Sequence, residues 1–276
     1  MEEKIRVGIC PENPAIKVDE SKCIKCGKCL EICRNEVTVS RMYDLGITKK
    51  PICINCGQCS IYCPTEAISE KEDYEEIKKI LKKNDKVVTF SVAPAVRVAL
   101  GEEFGMEIGT NIDKKMVGAL KKIGANYVFD VTFSADLTIM EEAMELVNRI
   151  KQNKNLPLFT SCCPAWSVMA KKTLPEYAHY ISMSLTPMVL TARMIKKQHP
   201  ECKVVFIGPC AAKKLEASRH SVRSDVDFVL TFEETMGLFD AKAVDFKSLE
   251  VEEPLQTSSA LGKGFASSGG VAQAVV

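Results

Sequence analysis

Thr160-Ser161-Cys162-Cys163-Pro164-Ala165-Trp166 is the stretch on which the reading of this chain turns. Two adjacent cysteines follow an apolar run (Leu156, Leu158, Phe159), and the only tryptophan comes three residues after Cys163. Neighbouring residues of a strand point to opposite faces. A strand-to-helix turn relaxes that geometry and can aim both thiols at one buried site. Ile207-Gly208-Pro209-Cys210-Ala211-Ala212-Lys213-Lys214-Leu215-Glu216 repeats the arrangement, an apolar strand over 204–207 running into a helix.

Outward from there, the thirteen cysteines are the informative count. The number is odd and the chain large, which argues against a disulfide framework. Cys23, Cys26, Cys29 and Cys33 form one C-x-x-C-x-x-C-x-x-x-C run, and Cys53, Cys56, Cys59 and Cys63 form a second, closed by Pro64. Gly27 and Gly57 follow the second cysteine of each run, where the backbone must curl around a cluster. This is the bacterial two-cluster ferredoxin pattern, in which the fourth cysteine of each run ligates the other cluster. The expected sets are Cys23, Cys26, Cys29 and Cys63 for one 4Fe-4S cluster, and Cys53, Cys56, Cys59 and Cys33 for the other. Arg34 stands where the first run would have a proline. Zinc also takes four thiolates, but its ribbons use paired Cys-x-x-Cys knuckles rather than runs of four. Thiolates kept for iron imply a reducing, oxygen-poor compartment. Cys10 stands alone and reads as a bystander.

The 276 residues are enough for two domains. With 37 basic against 36 acidic residues, charge gives no argument for nucleic acid or a membrane surface. No apolar run approaches the roughly 20 residues of a membrane span. The first residues carry no secretory apolar region, so the default expectation is a cytoplasmic protein. Residues 69–86 are polar and lysine-rich, with Tyr74, Ile77, Ile80 and Leu81 at helical spacing. They predict a connecting helix ended at Asn84-Asp85. The expected division is a ferredoxin-like domain over 1–80 and a second domain over 81–276.

From there strands and helices alternate. Strands are predicted at 87–92, 127–133, 156–159, 179–184, 203–207 and 228–230, and helices over 112–123, 136–151, 187–198 and after Thr231. That alternation argues for a parallel α/β sheet with ligands at the strands' C-terminal ends, where Cys163 and Cys210 fall. The fold class is thus an α+β ferredoxin-like domain followed by an incomplete α/β domain. His179, His199 and His220 show no ligand spacing and read as surface or packing residues.

The two cysteine signatures resemble the first two active-site motifs of the FeFe-hydrogenases, Thr-Ser-Cys-Cys-Pro-x-Trp and Pro-Cys-x-x-Lys-x-x-Glu. The resemblance implies that Cys163 and Cys210 ligate a 4Fe-4S cubane carrying a two-iron subsite, together the H-cluster. It implies that Cys162 exchanges a proton there and that Lys213 hydrogen-bonds an iron-bound cyanide, whereas Lys214 reads as solvated. Ala93 and Pro94 resemble the loop against the dithiolate bridge. Glu142, Glu145 and Ser182 lie at the offsets of the family's proton relay, in the expected order Cys162, Glu145, Ser182, Glu142, solvent. Read alone, Met140, Ala143, Met144 and Val147 make an apolar stripe that leaves both glutamates on the opposite, solvated face. Gly208, Met188 and Ala165 depart from many family members and suggest a divergent subgroup.

The implied reaction is reversible reduction of protons to dihydrogen with ferredoxin-type electrons. At roughly 59 mV per pH unit the proton couple lies near about −0.41 V at pH 7, level with plant-type ferredoxin clusters at about −400 mV. A low-potential electron carrier and the hydrogenase maturation proteins are the expected partners. The family's third signature, Glu-x-Met-x-Cys-x-x-x-Cys, has no match, and Cys202 is poorly placed to substitute for its thiolates. The sequence is therefore expected to be a C-terminally truncated piece, holding two clusters and inactive by itself. The rival readings are a plain iron–sulfur electron carrier, a hydrogenase-like assembly scaffold, and a hydrogen or redox sensor.

Overall fold

Two short strands tie the cysteine-rich region together. β1 (Ile16–Val18) pairs antiparallel with β2 (Ile68–Glu70), Ile16 facing Glu70 and Val18 facing Ile68. The computed structural model describes residues 6–39, 53–160, 162–219, 222, 224–246, 248–253 and 257–276. Ser161 of the double-cysteine signature and His220 lie outside the described residues. By packing, the chain divides into two compact units. The first comprises Met1–Lys71, Cys163–Ile181 and Cys210–Ser218, and the second Glu72–Cys162, Ser182–Pro209 and Arg219–Val276. This grouping is drawn differently from a linear division at residue 80, because both cysteine signatures contribute a segment to the first unit.

Within the first unit the two cysteine runs take the same backbone path. Lys25 and Asn55 are left-handed at φ 58° and 60°, and Gly27 and Gly57 follow at 78° and 81°. Each glycine opens a one-turn helix, Lys28–Glu31 and Gln58–Ile61. Glycine adopts this conformation without steric cost. A side chain at Gly57 would also meet the Glu70 carboxylate at 2.7 Å.

The second unit is built on a four-stranded parallel sheet in the order β4-β3-β5-β6. Its strands are β3 (Val88–Val92), β4 (Tyr127–Asp130), β5 (Lys203–Ile207) and β6 (Phe228–Leu230). β3 and β5 are central and buried, β5 apolar after Lys203 and β3 carrying the buried hydroxyls of Thr89 and Ser91 between Val88, Phe90 and Val92. Pro187–Gln198 packs on β3 and β5, and Asp113–Ile123 packs on β4. Phe232–Ala241 packs on β6 and on the connecting helix Tyr74–Lys83, which ends at a left-handed Asn84 as its sequence predicts.

Two predicted strands are absent from this sheet. Residues 156–159 contribute a single bridge at Phe159, since Asn155 is left-handed and Pro157 has no amide to donate. At 179–184 the chain instead makes the 3-10 helix Pro175–Tyr180 and then a bridge at Ile181. The predicted strand 127–133 stops at Asp130, and the following helix begins early, spanning Thr132–Gln152.

A buried ion pair sets that early start. Arg97 Nη2 donates to both oxygens of Asp130 at 2.7 and 2.6 Å, and its Nε donates to the Pro94 carbonyl at 3.1 Å. Asp130 Oδ1 also accepts from the Thr132 amide at 2.9 Å, capping the long helix. Asp113 lies 4.0 Å from the guanidinium. Deleting one partner of a buried pair leaves an uncompensated charge and costs about 3–5 kcal/mol. Asp130→Ala should lower the urea-unfolding free energy towards that range, with the double variant Arg97→Met/Asp130→Ala losing less. A single variant as stable as wild type would refute the clasp.

Candidate metal centres and proton path

The eight cysteines of the two runs separate into two hollows by crossing over. Cys23, Cys26, Cys29 and Cys63 line one of about 320 Å3, together with Arg6, Lys25 and Thr65. Cys33, Cys53, Cys56 and Cys59 line the other, of about 410 Å3, with Val7, Ile9, Val39 and Ile54. Among the described residues no three His, Cys, Asp or Glu side chains converge closely enough to hold a single metal ion. The thiols ring a volume rather than a point.

Electrostatics makes the second hollow unsuited to bare thiolates. Burial pushes Cys59 up strongly, and the neighbouring thiols of Cys53, Cys56 and Cys33 add to it. Burial likewise raises Cys53, against donation from the Asn55 amide and the Asn13 side chain. At Cys63 burial is outweighed by the Ile68 and Thr65 amides and the Thr65 hydroxyl, so that thiol is lowered. Thiolates that repel one another in an apolar ring are stabilised by a bound cationic centre. The donor set fits iron–sulfur clusters.

Cys163 and Cys210 also lie in the first unit. Cys163 caps the helix Pro164–Thr173, its sulfur accepting from the Trp166 amide at 3.4 Å. Cys210 lies two residues before the start of the short helix Ala212–Ser218. Burial raises its thiol, opposed by the Ala212 amide and the Lys213 charge, while Cys163 adds to the rise. Ala165 and Ala212 share one apolar cluster with Val39 and Ile54, against which Cys33, Cys56 and Cys210 pack. The second hollow is therefore continuous through small apolar side chains with the Cys210 turn.

Lys213 donates to Glu216 at 2.6 Å. Lys214 is not solvated but buried, as are Ala212 and Glu216 of this helix. A seven-residue helix packed among small residues has no fully solvated face.

In the second unit, Ala93 is buried beside Gly208, and its amide donates to Ile207 at 2.9 Å. The Phe206 ring comes within 2.8 Å of where a side chain at Gly208 would begin, which accounts for a glycine there. Met188 is fully buried in the helix Pro187–Gln198. Cys162 is half-buried.

The long helix corrects the reading of its own faces. Met140, Met144 and Val147 are exposed, while Thr138 and Glu142 are buried. The inward face is polar: Thr191 donates to Ser134 at 2.7 Å, and Thr138 donates to the Ser134 and Leu185 carbonyls. Glu142 is 2% exposed, whereas 28% of the Glu145 side chain is open. Ser182 donates to Glu145 at 2.8 Å, and Arg149 pairs with the other carboxylate oxygen. Glu142 thus lies inside and Glu145 nearer the rim. Arg149 was missed, although Glu at i and Arg at i+4 on a helix is a readable signal. Arg97 and Asp130 gave no such signal, being 33 residues apart. His179 and His199 are exposed; the His199 ring stacks on Tyr127, and the His179 ring lies tilted against Tyr180.

Residues 86–276 match the family of the iron-only hydrogenase large subunit, C-terminal domain, and residues 16–37 and 52–69 match the 4Fe-4S binding domain. Iron hydrogenase 1 of Clostridium pasteurianum is 33% identical over 95% of this chain and 50% of its own length. The cytosolic iron-sulfur assembly component 3 of Bos taurus is 33% identical over 65% of this chain and 43% of its own. A solved variant of the FeFe-hydrogenase HydA1 from Chlamydomonas reinhardtii superposes at TM-score 0.60 with 32% identity, covering 68% of this chain and 52% of that one. The chain spans about half the length of the curated hydrogenase it matches. Among the described residues no helix is long and apolar enough to cross a membrane. An iron–sulfur ferredoxin-like region and a parallel α/β domain bearing both cysteine signatures place this chain in the iron-only hydrogenase family of iron–sulfur oxidoreductases.

Proposed function

We propose that the chain is the electron-feeding and proton-delivering part of a cytoplasmic FeFe-hydrogenase that interconverts protons and dihydrogen. The observation that carries the reading is the crossed sorting of eight cysteines into two hollows, the second joined to Cys210 through Ala165, Ala212 and Ile54. In this reading Cys23, Cys26, Cys29 and Cys63 hold the first 4Fe-4S cluster, and Cys33, Cys53, Cys56 and Cys59 the second. Electrons pass from the first to the second and on towards Cys210.

Cys163 and Cys210 supply two of the four thiolates of the catalytic cubane. The H-cluster, when bound, supplies the heterolytic making and breaking of the hydrogen–hydrogen bond. Lys213 holds a positive charge beside Cys210, steadied by Glu216, and is suited to an anionic ligand of that group. Ala93 and Pro94 present backbone and a small side chain for its close approach. Cys162 holds and releases the transferred proton, which Glu142, Ser182 and Glu145 hand outward to the rim, where Arg149 fixes Glu145. The maturation proteins that install such a group are the further partners this reading requires.

A second reading is an assembly scaffold, favoured by the similarity to the iron-sulfur assembly component. A scaffold needs the cysteines but no buried carboxylate relay.

Anaerobically reconstituted chain should bind about eight irons in its ferredoxin-like region. Cys63→Ala should remove the first cluster and spare the second, leaving about four irons and one of two paramagnetic signals. Loss of the other signal would refute the crossed sets. In the whole hydrogenase, Glu142→Gln and Glu145→Gln should each cut hydrogen evolution by about 10²-fold or more at unchanged iron content. Turnover equal to wild type in both would refute the relay, whereas a cluster-loaded whole protein that evolves no hydrogen would favour the scaffold.

A further inference from the structure

The loop that follows β3 and the helix that carries Glu142 and Glu145 meet at one side chain. Arg97 lies in the short helix Val96–Ala99, three residues after Pro94, and its Nε donates to the Pro94 carbonyl at 3.1 Å. The same guanidinium reaches the last residue of β4, where Nη2 donates to both Asp130 oxygens at 2.7 and 2.6 Å. Asp130 Oδ1 in turn accepts from the amide of Thr132, the first residue of the long helix. The Val131 amide donates to the Val92 carbonyl at 3.2 Å, so β3 and the helix start are joined through backbone as well as side chain.

The surroundings leave the guanidinium little alternative. A hollow of about 330 Å3 beside it is walled largely by Val92, Met116, Val117 and Val128. The Arg97 and Asp130 side chains are 8% and 12% exposed, so water competes weakly and the pair is electrostatically strong. Asp113, the other carboxylate on this hollow, stands 4.0 Å from Nη1, beyond hydrogen-bond distance. Asp130 holds the guanidinium, and Asp113 only adds charge.

From Thr132 the helix rises roughly 15 Å to Glu142. Thr191 and the Leu185 carbonyl grip it on the way, at Ser134 and Thr138, and Ser182 meets it at Glu145. Those contacts tie the helix to the chain beyond residue 181, and none of them ties it to Ala93 and Pro94. Arg97 does.

We infer that Arg97 and Asp130 are a positioning pair for proton transfer, holding the Ala93-Pro94 loop and the relay helix in one frame. The inference rests on the hydrogenase reading above. Neither residue touches the reacting atoms or carries the proton. Proton transfer needs heavy-atom separations of about 2.6–3.2 Å, and a misplacement of about 1 Å from a remote change can cost about 10²-fold.

The test makes two measurements on Asp130→Asn and Arg97→Lys. Asp130→Asn keeps an oxygen for the Thr132 amide but sets a second donor against Arg97 Nη2. Arg97→Lys keeps the charge but has one nitrogen for the two contacts that Nε and Nη2 make. In the iron-loaded chain, Asp130→Asn should quicken amide hydrogen exchange over 132–145 by roughly tenfold or more, and by more than it does over β5. In the whole hydrogenase both variants should evolve hydrogen roughly tenfold more slowly at wild-type iron content. Their rate ratio between H2O and D2O should rise, because proton transfer becomes the slow step. Asp113→Asn removes a charge beside the same guanidinium without removing a hydrogen bond from it, and should match wild type in both measurements. Exchange equal to wild type in Asp130→Asn, or quickened as much by Asp113→Asn, overturns the inference. So does slower turnover at an unchanged rate ratio, which marks a pair that serves stability alone. Iron-loaded wild-type whole protein that evolves no hydrogen overturns the hydrogenase reading, and this role with it.

Discussion

Eight thiols drawn into two partly buried rings are the constraint on which the first unit depends. Burial and mutual repulsion both oppose ionisation of Cys59, so the ring of the second run disfavours bare thiolates. Metal binding and folding are then one equilibrium, because a site absent from the unfolded chain contributes its binding energy to the fold. The crossover makes the coupling mutual. Cys33 closes the hollow of the second run and Cys63 that of the first, so neither run can complete a set without the other. The pairing of β1 with β2 serves the same end, since the Ile68 amide donates to the Cys63 sulfur at 3.4 Å.

The same apolar packing that seals the second hollow also fixes the later cysteine turn. A side chain at Gly57 would meet the Ala211 methyl at 3.5 Å, and Ala211 belongs to the core that holds Cys29 and Ile68. Ala212 belongs to the neighbouring core with Ile54 and Ala165. Small side chains at these points allow close backbone approach, and electron transfer gains from short, rigid separations. Alanine in the Pro-Cys-Ala-Ala stretch is thus explained by packing here, whatever the cofactor beyond Cys210.

Spacing made the cysteine runs, the strand Lys203–Ile207 and the helix Pro187–Gln198 legible, because each carries a local signal: a fixed repeat, a continuous apolar run, a Thr-Pro start. Apolar character misled where tertiary context decides. Residues 156–159 are apolar enough for a strand, yet Pro157 and the left-handed Asn155 keep them out of the sheet. The stripe of Met140, Met144 and Val147 is a true helical stripe that faces out. Its inward counterpart, Ser134, Thr138 and Glu142, is polar, and polar residues at helical spacing read as a solvated face unless a partner is known. That partner is Pro187–Gln198 with Thr191, about 50 residues away in sequence. Lys214 failed for a related reason: periodicity assigns faces, but a short helix enclosed on several sides has none to spare.

A polar interior along one helix is costly unless its groups are satisfied, and the long helix shows how several of them are. Ser134 accepts from Thr191, Thr138 reaches two carbonyls, and Glu145 is held by both Ser182 and Arg149. The helix start is itself fixed by Asp130, which the buried Arg97 grips with two hydrogen bonds. Arg97 also holds the Pro94 carbonyl. One guanidinium therefore sets both the loop at the end of β3 and the register of the helix that carries Glu142 and Glu145. A shift of that helix by one residue would turn each side chain by about 100°, from the 3.6-residue repeat. Glu142 would leave the interior and Ser182 would lose Glu145. Alignment of the carboxylates is thus decided three turns away from them, at a contact that no local pattern in the sequence announces.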